Sequence, residues 1–371
     1  MSEDLKWSNY DFTKIPFNNI IQVGQRTLLY RDLFTVSWLL GRFCNYKCSY
    51  CWPYARSDRK DHRPTELCLK TIDEIKRQAR VNGFNSFHFS LSGGEPTFHP
   101  GYLDILKHLA EDVDTTNYTS VHMTSNCSRN MKWFKEYVEY VKPFHRASIT
   151  ASLHTEHLDT KEKMQDFADK LVLCQEHDVQ VTINMVMVPD WFERDWENAL
   201  FFHEQGINVT LKPQSDPTAS RVVDGYTNDN LKRLHNGMPQ RAYTESKRGW
   251  SGRPKPTFKM PIEVEGKNDA SVPWHMQIEL KDKSGKKWYM DQAERFNAFE
   301  FNNFKGWSCN AGYQGIIIRE PDGSIKRSYS CHDVPLGNIE TGFKLFNKAM
   351  PCITNSCVSS ADSKIPKRKL K

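Results

Sequence analysis

The sequence lacks any apolar run long enough to cross a bilayer. Its longest, such as Val181–Val188, falls well short of the roughly twenty residues a spanning helix needs. The opening residues, MSEDLKWSNYDF, lack the basic start and apolar stretch of a signal peptide. Together these absences predict a cytoplasmic protein with no membrane role. No internal repeat and no low-complexity tract beyond the basic end is visible, which excludes solenoids and repeat arrays. A strong charge of either sign is missing too: 51 basic against 45 acidic residues give a net charge of +6. Part of that excess lies in the end segment KIPKRKLK, residues 364–371, which reads as a solvated, frayed tail. The mild basic excess is the sole support for nucleic-acid or nucleotide modification. With 371 residues the chain can bury a sizeable core as one large domain or two smaller ones.

Cysteine is what the chain has in plenty. Ten cysteines exceed what packing needs, and in a reducing compartment clustered cysteines favour metal ligation over disulfides. Seven fall into two groups, Cys44/Cys48/Cys51 and Cys309/Cys331/Cys352/Cys357. Cys68 and Cys174 fall on amphipathic stretches and read as core residues. Cys127 remains.

From about residue 33 to 214 strand-like and helix-like segments alternate. Strands are predicted at 34–41, 87–93, 120–126, 146–154, 179–188 and 207–213. Helices are predicted at 67–80, 102–111, 131–141, 161–178 and 196–206. Such alternation implies parallel strands joined by helical crossovers, and six strands suit a barrel or part of one. Residues 1–30 show no periodicity and read as an N-terminal extension. After residue 214 the chain becomes polar, with a short helix expected at NDNLKRLHN and antiparallel strands over 257–290. MQIELKDKSGKKWYM there reads as a hairpin turning at Ser284–Gly285, and a helical stretch follows in DQAERFNAFEFN. The expected division is 1–30 extension, 31–215 barrel, 216–305 bridging segment, 306–360 cysteine-bearing domain and 361–371 basic tail.

CNYKCSYC has the spacing C-x3-C-x2-C. Three thiolates within eight residues can bind three irons of a four-iron cube, leaving the fourth open to a small molecule. A zinc knuckle would need a fourth ligand, and His62 is not spaced for a tight site. CNYKCSYC resembles the signature of the radical S-adenosylmethionine (SAM) superfamily, including the aromatic Tyr50 before the last cysteine. A second motif of that family, SGGEP at Ser92–Pro96, follows the second strand candidate. The resemblance implies an α/β fold, a partial (β/α)6 TIM-like barrel with a small C-terminal auxiliary-cluster domain. It also implies a SAM-binding [4Fe-4S] cluster on Cys44, Cys48 and Cys51. It assigns the methionine amino group of SAM to Ser92, Gly93, Gly94 and Glu95. Glycines allow close backbone approach and a carboxylate accepts bonds from an ammonium. It places Thr124, Ser125, Asn126, Ser152 and His154 near the ribose and carboxylate, and Tyr50 near the adenine. For these, strand-end capping and loop packing are the plain alternatives.

Residues 306–357 resemble the auxiliary-cluster domains called SPASM and twitch: cysteine, glycine, strand, P-D-G turn, strand, cysteine, L-G-N-I, then PCITNSC. Four cysteines suffice for one cluster, so twitch is the nearer pattern, which implies a second [4Fe-4S] cluster on Cys309, Cys331, Cys352 and Cys357. A structural zinc site is the alternative. The family resemblance implies reductive cleavage of SAM to a 5′-deoxyadenosyl radical and hydrogen abstraction from a peptide or small molecule. An electron donor such as flavodoxin or ferredoxin would supply the cluster, and the auxiliary cluster would take an electron from the substrate radical. Cys127, directly after a strand end, would be the hydrogen donor if the enzyme were an epimerase; otherwise it is a packing cysteine. A non-catalytic iron–sulfur or zinc protein has no need of SGGEP. No leader-peptide-binding domain is expected in the thirty or so residues before the barrel.

Overall fold

The computed structural model describes residues 11–29, 32–52, 56–60, 62–114, 116–217, 221–239, 276–290, 293, 295–319, 322–331, 335–357 and 359–370. The expected antiparallel region before residue 276, and Pro321 of the P-D-G turn, lie outside them.

Six parallel strands form the centre: β2 (Leu33–Leu39), β3 (Ser86–Ser92), β4 (Thr119–Ser125), β5 (Arg146–Leu153), β6 (Val179–Met187) and β7 (Asn208–Pro213). Between consecutive strands run α2 (Thr65–Val81), α3 (Tyr102–Ala110), α4 (Met131–Val141), α5 (Lys161–Glu176) and α6 (Phe192–Glu204). The alternation read from sequence is met within a few residues at every element. Side-chain alternation explains why. Phe87, Phe89 and Leu91 of β3, or Val181, Ile183 and Met185 of β6, are fully buried in one core with Ile72 and Ile75 of α2 and Phe167 and Leu171 of α5. The opposite face of the same strands is polar and half-buried: Ser37, His88, Ser90, His122, Thr124, Ser148, Thr150, Ser152, Thr182 and Asn184. A strand whose side chains alternate in this way has only one register that hides its apolar set.

The helix caps are local. Asn130 and Thr160 accept from the third backbone N–H of α4 and α5, and Thr227 with Asn230 forms a capping box on α7 (Asn228–Asn236), where the sequence placed its short helix.

The rest of the chain meets its expectation only in part. Residues near the start are not a detached extension: β1 (Ile20–Gln25), followed by the single turn α1 (Arg26–Leu29), is the middle of a second sheet. There it pairs antiparallel with β8 (Ile278–Asp282), whose hairpin partner is β9 (Lys287–Met290), as the sequence predicted. The helical stretch after it is the single turn α8 (Arg295–Ala298). The basic tail is not frayed. After α9 (Ser360–Ser363), β16 (Lys367–Arg368) slots between β1 and β10 (Ser308–Cys309), and β15 (Met350–Pro351) pairs on the far side of β10. Lys367 is buried, with its ammonium donating to the carbonyls of Asp362 (2.6 Å) and Ile365 (2.9 Å). A lysine that can satisfy its donors on backbone oxygens no longer needs water.

The C-terminal part also extends the first sheet. β11 (Gly315–Ile318) pairs parallel with β2, Gly315 level with Thr35. β12 (Ser324–Lys326), β13 (Pro335–Asn338) and β14 (Gly342–Phe343) follow antiparallel. Cys44 follows the C-terminal end of β2, whereas Cys309 precedes the N-terminal end of the parallel β11. The two cysteine groups therefore leave the sheet from opposite ends.

Two histidines on the polar face make a prediction. His88 Nδ1 meets Ser120 Oγ and His122 Nδ1 meets Ser148 Oγ, both at 2.8 Å. Desolvation holds His88 at about 3 and His122 at about 4, each nudged further down by the positive charges of Arg146 and Lys364. Unfolding releases both to an ordinary histidine pKa near 6.5. Between those values the unfolded chain binds more protons, so their contribution to stability is complete above about pH 6.5 and is lost as pH falls toward 4. Urea midpoints measured from pH 7 to 4.5 are expected to fall. His88→Gln with His122→Gln is expected to flatten that slope.

Candidate functional site

The first cysteine group sits on the loop after β2. Gly41 to Phe43, its lead-in, runs against the Ser92–Glu95 turn that ends β3. Leu40 N–H donates to Ser92 O (2.9 Å), Gly94 N–H to Gly41 O (2.9 Å) and Glu95 N–H to Phe43 O (2.6 Å). This contact is why two glycines stand there. Gly93 has φ +137°, and a Cβ on it would meet Gly41 O at 2.2 Å; a Cβ on Gly94 would meet the carbonyls of Arg42 and Phe43 at 2.3 Å. The sequence reading attributed the glycines to ligand approach. In the structure they join the two motifs to each other, and a side chain on Gly94 has backbone, not a movable side chain, in its way. Gly94→Ala is therefore expected to displace the 41–43 segment and cost the first centre its metal while sparing the C-terminal one. Iron content per reconstituted chain is the check, with a fall to about half expected.

Glu95 is 1% exposed and its carboxylate is engaged by protein donors. Oε1 accepts from Thr97 Oγ1 (2.7 Å), Thr97 N–H (3.2 Å) and Ser125 Oγ (2.8 Å), and Oε2 from Asn126 N–H (2.6 Å). Burial pushes its pKa up and these bonds pull against that. Four donors make the carboxylate a brace between the end of β3 and the end of β4. Asn126 continues the brace: its Nδ2 reaches Cys44 Sγ (3.7 Å) and Asn45 Oδ1 (3.0 Å). Ser125 and Asn126 are thus committed to Glu95 and Cys44. Thr124 and Ser152 stay on the polar face, Thr124 within 3.4 Å of His122 Nε2.

The loop after β5 holds the cysteine loop from the other side. Tyr50 O–H pairs with His154 Nδ1 (2.8 Å) and the rings stack. Tyr46 stacks on His157 at 4.0 Å, whose Nε2 accepts from Lys47 N–H (3.2 Å). Glu156 accepts from Ser49 N–H (2.8 Å) and from Ser49 Oγ. Desolvation pushes Cys48 up to about 12, helped by the Glu156 carboxylate, raises Cys44 and Cys51 as well, and holds His154 at about 4. Glu156 and His157 escaped the sequence reading. Its one available signal was that they follow the end of β5, where the family resemblance had already drawn on His154.

Cys48, Glu156 and His157 bring their ligand atoms within 4.8 Å of one another, the one such trio among the described residues. No three sulfurs of either cysteine group come that close. Tetrahedral zinc, with bonds of about 2.3 Å, would hold its sulfurs only ~3.8 Å apart. Neither cysteine group holds three sulfurs as close together as a closed tetrahedral zinc site would. His62 packs edge-on against Phe43 and His99, and it is not part of the one ligand trio among the described residues.

The second group gathers around Cys309. All four thiols are 2–4% exposed. A side-chain hydrogen bond joins Cys309 and Cys352; it is the largest cause lowering the Cys309 pKa and the largest of those raising that of Cys352, where burial adds to it. Cys331 and Cys357 lie close enough to feel the Cys309 charge. Cys309, Cys352 and Cys357 belong to a core with Ile20, Leu280, Phe296, Phe304 and Trp307.

Cys127, for which both a hydrogen-donor and a packing role are open, sits just after β4. Its φ of +53° turns it out of β4, its thiol is 1% exposed in the helix-side core, and Lys170 of α5 donates to its carbonyl. The thiol packs among core side chains, near enough to Glu95 for that carboxylate to push its pKa up beyond the effect of burial.

Residues 38–203 match the profile of the Radical SAM superfamily, which spans the cysteine loop, the Gly93–Glu95 turn and the strand ends just described. The protein carries a Radical SAM domain. That domain supplies the general chemistry, SAM and a [4Fe-4S] cluster used for radical hydrogen abstraction. No curated protein matches the sequence. Solved structures of anSMEcpe are similar to this chain. Native anSMEcpe with bound AdoMet is 18% identical with a TM-score of 0.46, covering 84% of this chain and 79% of its own. Native anSMEcpe with bound AdoMet and Cp18Cys peptide is 16% identical with a TM-score of 0.48, covering 84% and 78%. Among the described residues, no helix is long and apolar enough to cross a membrane.

Proposed function

We propose that the protein is a two-centre radical SAM oxidoreductase acting on a hydrogen-bonding substrate, a peptide or a polar small molecule. Its Radical SAM domain would be a partial (β/α)6 barrel over residues 31–215, followed by a bridging segment and a twitch-like domain over 306–360. Cys44, Cys48 and Cys51 would hold the [4Fe-4S] cluster whose open iron binds SAM, and the chemistry supplied is reductive cleavage to a 5′-deoxyadenosyl radical. Cys309, Cys331, Cys352 and Cys357 would hold a second cluster that accepts one electron from the substrate radical as that radical loses a proton. The electron balances the one spent on SAM, which a flavodoxin or ferredoxin would deliver.

The observation that carries this reading is the placement of the two cysteine groups. They leave opposite ends of the parallel strands β2 and β11 of one mixed sheet, whose half-buried polar face carries hydroxyl, amide and neutral imidazole groups. The residues present do the positioning. Gly93 and Gly94 fix the SAM-side turn against the cysteine loop. Glu95, through Ser125 and Asn126, ties that turn to β4 and to Cys44. Tyr50, held by His154, offers a ring beside the last cysteine for an adenine to pack on. Thr124 and Ser152, still on the polar face, are the hydroxyls left for the ribose. Because its carboxylate acts through neighbours, Glu95→Gln is expected to weaken SAM binding by misplacing Asn126 and the turn. Isothermal titration with SAM, on protein whose iron content is intact, tests this. Unchanged affinity would remove Glu95 from the SAM site.

A further inference from the structure

The cysteine quartet has two buried cations beside it that nothing above uses. Arg327 is 2% exposed. Its Nε donates to Ala311 O and its Nη1 to Pro351 O, both at 3.1 Å, so it grips the chain two residues after Cys309 and one residue before Cys352. Its Nη2 is buried and has no hydrogen-bond partner among the described residues. Lys367 is 3% exposed and lies opposite Cys309 in the β10–β16 pairing. Its Nζ is held by the carbonyls of Asp362 and Ile365. Each cation also faces a ring, Arg327 over Phe346 at 5.3 Å and Lys367 over Phe304 at 5.0 Å.

Among the described residues neither cation has a carboxylate in ion-pair contact. Asp362 is the nearby acid, and its two oxygens accept from Tyr329 N–H (3.1 Å), Ser330 N–H (2.7 Å) and Ser330 Oγ (2.7 Å). Two buried positive charges against one buried carboxylate, inside an apolar and aromatic core, form an unbalanced site. A buried charge without a counter-charge is costly. The missing negative charge is that of the cysteine centre itself. Four thiolates around a four-iron core in its oxidised form leave a net charge of two minus, and one added electron makes it three minus. Cations held at fixed positions in a low-dielectric surround favour the more negative form.

We infer that Arg327 and Lys367 are positioning residues that raise the reduction potential of the C-terminal centre, so that it takes an electron readily. This rests on the reading of the quartet as an iron–sulfur site. It predicts a function for two residues that sequence patterns leave as an ordinary strand arginine and a tail lysine. The pairing of the chain's end between β1 and β10 is what sets Lys367 opposite Cys309.

The test uses the full chain with Cys44, Cys48 and Cys51 changed to alanine, so that one centre remains. Metal content is measured first, then the midpoint potential by redox titration followed by electron paramagnetic resonance. In that background Arg327→Gln and Lys367→Gln are compared with Arg327→Lys and Lys367→Arg. The neutral variants are expected to hold four irons but to be reduced about tenfold less favourably, a downward shift of about 59 mV for one electron. The charged variants should keep the parental potential. If Arg327→Gln loses its iron while Arg327→Lys retains it, the requirement for positive charge is upheld at the stage of assembly. Loss from both, or an unchanged potential in both iron-loaded neutral variants, would overturn the inference and leave the iron–sulfur reading standing. Zinc in the parental protein would overturn both.

Discussion

Changing Cys44, Cys48 and Cys51 together to alanine is expected to lower SAM cleavage by at least ~1000-fold, to the background of dithionite and SAM alone. The reason is that no side chain here can do that chemistry: cleavage of a sulfonium by one electron belongs to the cofactor, and the protein supplies its ligands and orientation. The same variant should retain the iron of the C-terminal centre, because that centre lies beyond the opposite end of the sheet and shares no residue with the first. Production of 5′-deoxyadenosine, read by chromatography, with iron counted on the same sample, separates the two effects. Cleavage surviving in the triple variant would mean that another site binds SAM.

Removal of the second centre is expected to give the reverse pattern. Cys352→Ala with Cys357→Ala should leave the cleavage rate of SAM within about twofold, since the first centre and the Gly93–Glu95 turn are untouched. Formation of oxidised product should vanish, because the substrate radical then has nowhere to send its electron. Both cysteines are buried in the second core, so the variant must first be shown by circular dichroism to keep its fold. Normal product from a folded variant without the second centre would reduce the quartet to a structural role.

Much of this was legible in the sequence, for physical reasons that differ by region. The six strands and five crossover helices could be read because each buries one face only, which writes a period of two or of 3.6 into the residues. Phe87, Phe89 and Leu91 against His88 and Ser90 is such a pattern. The cysteine groups stand out because clustered cysteines at short, fixed spacings are the pattern that metal ligation demands. What could not be read were contacts between distant parts of the chain that leave no period. β16 is two residues long and pairs with a strand some 345 positions earlier, so Lys367 looked like part of a solvated tail. β1 has a glycine and two glutamines and shows no apolar alternation. The parallel join of β11 to β2, which brings the C-terminal region onto the barrel sheet, rests on backbone pairing alone.

Residue roles were less legible than residue identities. Glu95 stands out in the sequence as a candidate SAM-binding carboxylate, but a sequence cannot show that Thr97, Ser125 and Asn126 occupy it. The glycines beside it read as sites of close approach by a ligand. What approaches them is the carbonyls of residues 41–43. Cys127 follows a strand end, where reactive groups gather in barrels, and its backbone turns it into the core instead.

The central claim is that the first cysteine group, joined to the Gly93–Glu95 turn, forms a site for reductive cleavage of SAM. Its most direct test is the product formed when the full chain, reconstituted anaerobically with iron and sulfide, is given SAM and dithionite. The expected result is 5′-deoxyadenosine and methionine in equal amounts, from protein holding about eight irons. Protein that holds those irons yet leaves SAM intact would contradict it.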